Sequence, residues 1–123
     1  MSKLEESMSK YIKPGGNWKD IPVSINSSKR LNTIRETGGR TTLYGRLHYD
    51  KPGFTITTQF TRLPNSSNLH PKNERMITIR EAGIIQGFPL DFKFSDNRGV
   101  SIIQIGNAVP PILARFIANI IKD

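Results

Sequence analysis

The amino-acid sequence predicts an α+β fold, in which a small β-hairpin-rich region is followed by helices. Three patterns lead there. Thr41 to Tyr49 and Phe54 to Phe60 are rich in Thr, aromatic and β-branched residues and flank the turn-forming run Asp50-Lys51-Pro52-Gly53. Thr78-Ile79-Arg80-Glu81 has the capping-box spacing that opens a helix. Leu113, Phe116, Ile117, Ile120 and Ile121 recur at helical spacing behind Pro110-Pro111. With 123 residues the chain is sized for one domain at most. Hydrophobic residues make up 36%, with ten Gly and eight Pro, so the core is expected to be small and the loops extensive.

Taken in order, Met1 to Lys13 predicts a short helix with Leu4, Met8, Tyr11 and Ile12 on one face, ended by Pro14-Gly15-Gly16. The lone Trp18 is expected to anchor the segment after it to a surface. Ser24 to Gly39 holds no sustained period of 2 or 3.6 and reads as mostly irregular. The hairpin follows. In its second strand Phe54, Ile56 and Thr58 face one side, leaving Thr55, Thr57 and Gln59 as a hydroxyl and amide face. Arg62 to Arg75 is a loop by composition, and Gly87 and Pro89 end the helix that starts at Thr78. Arg98 to Ile105 is a short helix or an extended segment, stopped by Gly106-Asn107. The last helix carries the apolar stripe, and Lys122 complements its C-terminal dipole.

Eighteen Lys and Arg against ten Asp and Glu give a net charge of +8, the footprint of a chain that meets a polyanion. That charge is uneven: residues 1–62 hold eleven basic and five acidic side chains, residues 63–123 seven and five. With no cysteine, disulfides, thiolate zinc sites and a cysteine nucleophile are excluded from this chain. No apolar run reaches the ~20 residues of a membrane span and Met1 to Lys10 lacks an apolar leader core, so the chain reads as soluble and intracellular. Asn26-Ser27-Ser28 and Asn65-Ser66-Ser67 match the N-glycosylation pattern, which carries little weight without a secretory signal.

His48 and His70 have no carboxylates at ligand spacing, so no metal site is assigned, and no phosphate-binding glycine loop occurs. Glu81 beside Arg80 reads as a structural capping pair. Arg40, Arg46 and Arg62, interleaved with Tyr44, Tyr49 and Thr-rich segments, supply guanidinium forks and short hydroxyls for phosphates or guanine edges. Read from composition and spacing, this is a basic α+β domain that binds nucleic acid, with a solvated basic face as the bland reading.

Further motifs carry a resemblance. His70-Pro71, then Arg75 through Phe88, with Thr78-Ile79-Arg80-Glu81-Ala82 and Gln86-Gly87-Phe88-Pro89, resembles motif IX of the DNA (cytosine-5)-methyltransferases. Gln104-Ile105-Gly106-Asn107-Ala108-Val109-Pro110-Pro111 resembles their motif X. Gly38 through Leu47 and Pro52 through Thr58 resemble the target-recognition region of bacterial members, and Gly15 through Pro22 the segment after motif VIII. Four segments in family order cover nearly the whole chain.

The resemblance implies that the helices complete a Rossmann-like methyltransferase domain. It implies a division into residues 1–23 as a connecting segment, 24–75 as the target-recognition region and 76–123 as motifs IX and X with the final helix. Such enzymes flip a cytosine out of duplex DNA, attack C6 with a Pro-Cys cysteine assisted by the Glu of Glu-Asn-Val, and transfer a methyl group from S-adenosylmethionine to C5. This chain has no Cys, no Glu-Asn-Val and no Phe-x-Gly-x-Gly, so no catalytic residue is assigned and the chain alone is expected to be inactive.

Residue by residue, the resemblance places Arg40 and Arg46 at the end of the first recognition loop, Thr57 at a phosphate near the flipped base, and Gln59, Thr61 and Arg62 in the second loop. Arg80 and Glu81 would organise the recognition region. Asn107 and Val109 would line the cofactor pocket, Asn107 as the polar contact. The implied partners are duplex DNA and an N-terminal catalytic portion or subunit, in a bacterial cytoplasm, with self-association through the last helix when that portion is missing. A non-enzymatic, sequence-specific DNA-binding module is the competing reading.

Overall fold

The computed structural model describes residues 1–25 and 28–122. Asn26, which starts the first Asn-X-Ser pattern, lies outside the described residues. Five helices follow in order: α1 (Lys3–Ser9), α2 (Lys29–Thr37), α3 (Ile79–Ile85), α4 (Arg98–Asn107) and α5 (Pro111–Lys122), with 3₁₀ turns at Trp18–Asp20 and Leu63–Asn65. Among the described residues there is no strand, so the α+β expectation and its β-hairpin are overturned. Pairing is reduced to two isolated bridges, Arg46 with Leu69 in parallel and Leu69 with Met76 in antiparallel.

The reason lies at Tyr44. Its backbone is left-handed, φ 50°, which breaks the extended run that Thr41 to Tyr49 was expected to form. Beyond that kink, the amides of Gly45 and Leu47 donate to the carbonyls of Ser66 and Leu69 at 3.0 Å each, so this segment pairs with residues 66–69. Phe54 to Phe60 is left without that partner and turns instead, the Phe60 amide reaching the Thr57 carbonyl at 3.1 Å. Ile56 and Phe60 are buried and hold the two ends of that turn.

α1 is shorter than Met1 to Lys13. Ser2 and Glu5 form a capping box that sets its start, and Leu4, Met8 and Ile12 pack into the core while Tyr11 stays outside. Ser24 to Gly39 is not irregular throughout, because α2 forms there, capped by the Ser28 hydroxyl on the Leu31 amide. Its only buried apolar side chains are Leu31 and Ile34, so tertiary burial rather than periodicity supports it. α3 starts at the expected capping box. It ends where Gly87, at φ 86°, lets the amides of Gly87 and Phe88 return to the carbonyls of Ile84 and Gly83. α4 is a full helix that runs through Gly106 and Asn107, opened by the Asn97 side chain on the amides of Gly99 and Val100.

Two apolar clusters hold the chain together. The first gathers Met8, Ile12, Ile21, Leu31, Ile34, Tyr44, Leu63, Leu69 and Met76; the second Leu47, Ile56, Phe60, Ile77, Ala82 and Ile105. α3 packs on α4, and Gln86 Nε2 pins the end of α4 by donating to the carbonyls of Ala108 at 2.8 Å and Ile105 at 3.3 Å. Phe88, Phe92 and Phe94 stack on one another with centroids 4.8–5.2 Å apart. α5 buries nothing, and its stripe of Leu113, Phe116, Ile117, Ile120 and Ile121 faces outward. Among the described residues no single helix is long and apolar enough to cross a membrane; α4 and α5 are so only when taken together, and they bend by 42° at the break between them.

Candidate functional site

Arg40, Thr42, Leu43, Phe54, Thr55, Thr57 and the run Asn65-Ser66-Ser67-Asn68 line a cleft of about 300 Å³. Two residues named from sequence, Arg40 and Thr57, therefore meet on one surface. Trp18 supports the first, its indole N–H donating to the Arg40 carbonyl at 3.2 Å. The Arg40 guanidinium is exposed and makes no hydrogen bond or ion pair with the described residues. Thr57 is exposed between the buried anchors Ile56 and Phe60, and its Oγ accepts the Gln59 amide at 3.3 Å, leaving the hydroxyl hydrogen available to a ligand.

Gln59 adjoins the cleft, its Oε1 accepting from Asn65 Nδ2 at 3.3 Å. Arg62 is exposed on the next turn. Thr61 lies apart, lining a different hollow with Arg75, Thr78 and Arg98.

Arg46 needs correction. It is 5% exposed, and its guanidinium donates to main-chain carbonyls of Ile12 at 2.6 Å, His70 at 2.5 Å, Asn73 at 2.9 Å and Ser9 at 2.8 Å. A fork occupied this way has no face left for a guanine edge. Arg46 ties the end of α1 to the 70–73 loop.

Beside it, Arg75 makes a two-pronged contact with Glu81, at 2.7 and 2.8 Å, while Glu81 also accepts the Thr78 amide at 2.7 Å. The Arg75 bond leads the causes that pull the Glu81 carboxyl from 4.5 down to about 2. His70 Nε2 lies 3.6 Å from Glu81, yet burial first and the Arg75 cation second depress its pKa. Its Nδ1 accepts the Lys72 and Asn73 amides, an arrangement that requires the unprotonated nitrogen. Arg80 holds the loop after α3, donating to the carbonyls of Leu90 at 3.0 Å and Phe92 at 2.7 Å, with its guanidinium 5.4 Å from the Phe94 ring centre.

Asn107 and Val109 are both exposed at the end of α4, away from the cleft lining. Sequence reading placed Thr55 on the polar face but missed Thr42, Ser67 and Asn68. Ser67 Oγ and Asn68 Oδ1 are buried without a hydrogen-bond partner among the described residues. Composition marked this run only as loop, and nothing local signals that it packs under Arg40. No group of three His, Asp or Glu able to hold a metal occurs among the described residues.

Comparison with known proteins agrees with the motifs. The chain is 37% identical over 128 residues to the type II methylase M.HgiDII of Herpetosiphon aurantiacus, covering 98% of this chain and 36% of the relative. It is 34% identical to the type II methyltransferase M.Sau96I of Staphylococcus aureus, over 96% of this chain and 27% of that protein. A plant relative, DNA (cytosine-5)-methyltransferase 3 of Arabidopsis thaliana, is 34% identical over 89% of this chain and 9% of its own length. The chain thus spans about a third or less of the length of these relatives. The family profile described as C-5 cytosine-specific DNA methylase matches residues 1–123, and with these relatives it establishes that the chain belongs to the C-5 cytosine-specific DNA methylases.

Proposed function

We propose that this chain is the DNA-recognition and cofactor-pocket-completing C-terminal portion of a DNA (cytosine-5)-methyltransferase, with residues 24–75 meeting duplex DNA and residues 76–123 finishing the cofactor side. The observation that carries this reading is the cleft lined by both the Arg40 guanidinium, unpaired among the described residues, and the exposed Thr57 hydroxyl, two phosphate- or base-seeking groups on a chain of net charge +8. Gln59 and Arg62 extend that surface, Thr61 belongs to its far side, and Arg46 supports it from within.

The family takes its methyl group from S-adenosylmethionine. The end of α4 presents a carboxamide, Asn107, and an apolar side chain, Val109, in exposed positions, which suits one wall of a pocket for that cofactor. Glu81 and Arg80 hold the loops on either side of α3 and so keep the two surfaces in register. The chemistry at C5 requires a nucleophile this chain lacks, so the bare α5 stripe is the surface that meets the catalytic portion.

The test supplies a catalytic portion bearing the Pro-Cys nucleophile and follows transfer of labelled methyl groups to duplex DNA. Methylation is expected only with both parts present. Methylation by the chain alone would sink the reading, and duplex binding that never becomes methylation in the mixture would favour the non-enzymatic module.

A further inference from the structure

We infer that Gly106 is a positioning residue for Thr57, an inference that rests on the proposed DNA contact of Thr57. A Cβ built on Gly106 would lie 2.7 Å from the Thr57 carbonyl carbon and 2.7 Å from the Thr58 Cα, and would also collide with the Thr58 amide nitrogen. Carbon atoms in ordinary contact sit about 3.5–4.0 Å apart. These are main-chain atoms, so no side chain can swing aside to make room.

Which partner yields follows from how each is held. The end of α4 is fixed on two sides, by Ile105 with no exposed surface in the second cluster and by the Gln86 bonds to the carbonyls of Ile105 and Ala108. The 57–59 stretch is a surface turn between buried Ile56 and Phe60, held by bonds within residues 57–65, with Thr57 and Gln59 exposed. A side chain at position 106 therefore displaces Thr57 and leaves the helix in place. The absence of a side chain at Gly106 sets the height at which the Thr57 hydroxyl stands over the cleft, and it ties that height to the helix end carrying Asn107.

The experiment uses the full chain with a mixed-sequence DNA duplex as probe, reading duplex affinity by fluorescence anisotropy and backbone position by amide chemical shifts. Thr57→Val and Gly106→Ala are each expected to weaken binding about tenfold, the scale of one lost charge-assisted hydrogen bond. The double variant should be no more than about twofold weaker than the worse single one, because Gly106 acts through Thr57. The Thr57 and Thr58 amides should show the largest shifts in Gly106→Ala. Should that variant fail to fold, Gln86→Ala loosens the same helix end without intruding on the contact and is expected to shift the same two amides. Losses that add in the double variant, or Thr57 and Thr58 amides that stay in place, overturn the role of Gly106. A chain that binds no duplex while those amides do move overturns the DNA reading instead.

Discussion

A guanidinium carries five N–H donors in a planar fork, and in Arg46 that fork is filled by four main-chain carbonyls. Burying such a cation is tolerable because four of its five N–H groups meet an acceptor. Arg46→Ala would leave those carbonyls to be satisfied by water or not at all, and should cost about 3 kcal/mol in denaturant unfolding, with no selective loss of DNA sequence preference. A change in base preference without a stability loss would contradict this placement. Glu81 makes a different kind of statement. Its carboxyl is held at about 2, below its ordinary 4.5, so the folded state binds the proton more weakly than the unfolded chain. The stability it contributes is therefore present above pH 4.5 and lost as pH falls toward 2. His70 is also depressed below its ordinary 6.5, and its contribution is lost in the same direction from a higher pH. Both side chains of the Arg75–Glu81 pair stay about a third exposed, and screening holds its net value to about 1 kcal/mol. Thermal midpoints should fall on acidification, and in Glu81→Gln the decline below pH 4.5 should flatten; an unchanged acid limb would count against the pairing.

Among the elements, α5 is the one whose sequence and surroundings disagree. Phe116 is 63% exposed and Ile120 60%, although their spacing is that of a helix face meant to be covered. Fully covering such a side chain is worth about 1.5–3 kcal/mol, so a bare stripe of five favours any apolar partner, a second copy included. Light scattering on the isolated chain should show self-association at high concentration, and Phe116→Glu with Ile120→Glu should abolish it without shifting the thermal midpoint, because neither residue packs on the rest of the chain. A monomer at high concentration would oppose the assignment of α5 as an interface. α3 is the opposite case: its capping box, its Gly87 exit and its packing on α4 all agree.

At the scale of the whole molecule, long connecting segments are organised by a few buried anchors and by side chains that reach the main chain. Trp18 sets Arg40, Arg46 ties α1 to the loop before α3, and Gly106 lets α4 close on Thr57. The basic charge, the family, the two capped or Pro-led helices α3 and α5 and the outward α5 stripe were all legible in the sequence. The charge is a sum over the chain and the family shows in several short motifs, while the helices and the stripe depend on residues within a few positions of one another, where a side-chain hydroxyl finds an amide three residues on or an apolar face repeats every turn. The hairpin was not a safe reading, because β-propensity describes a half-buried extended surface and cannot name its partner. Here residues 45–47 pair with 66–69, after a left-handed Tyr44 that no propensity announces. α2 was missed for a related reason: two buried side chains, Leu31 and Ile34, stabilise it from across the core. The burial of Arg46, the meeting of Arg40 with Thr57 and the contact at Gly106 bring together residues 17 to 49 positions apart. Such contacts are decided by which surfaces bury together, and that only the tertiary structure could determine.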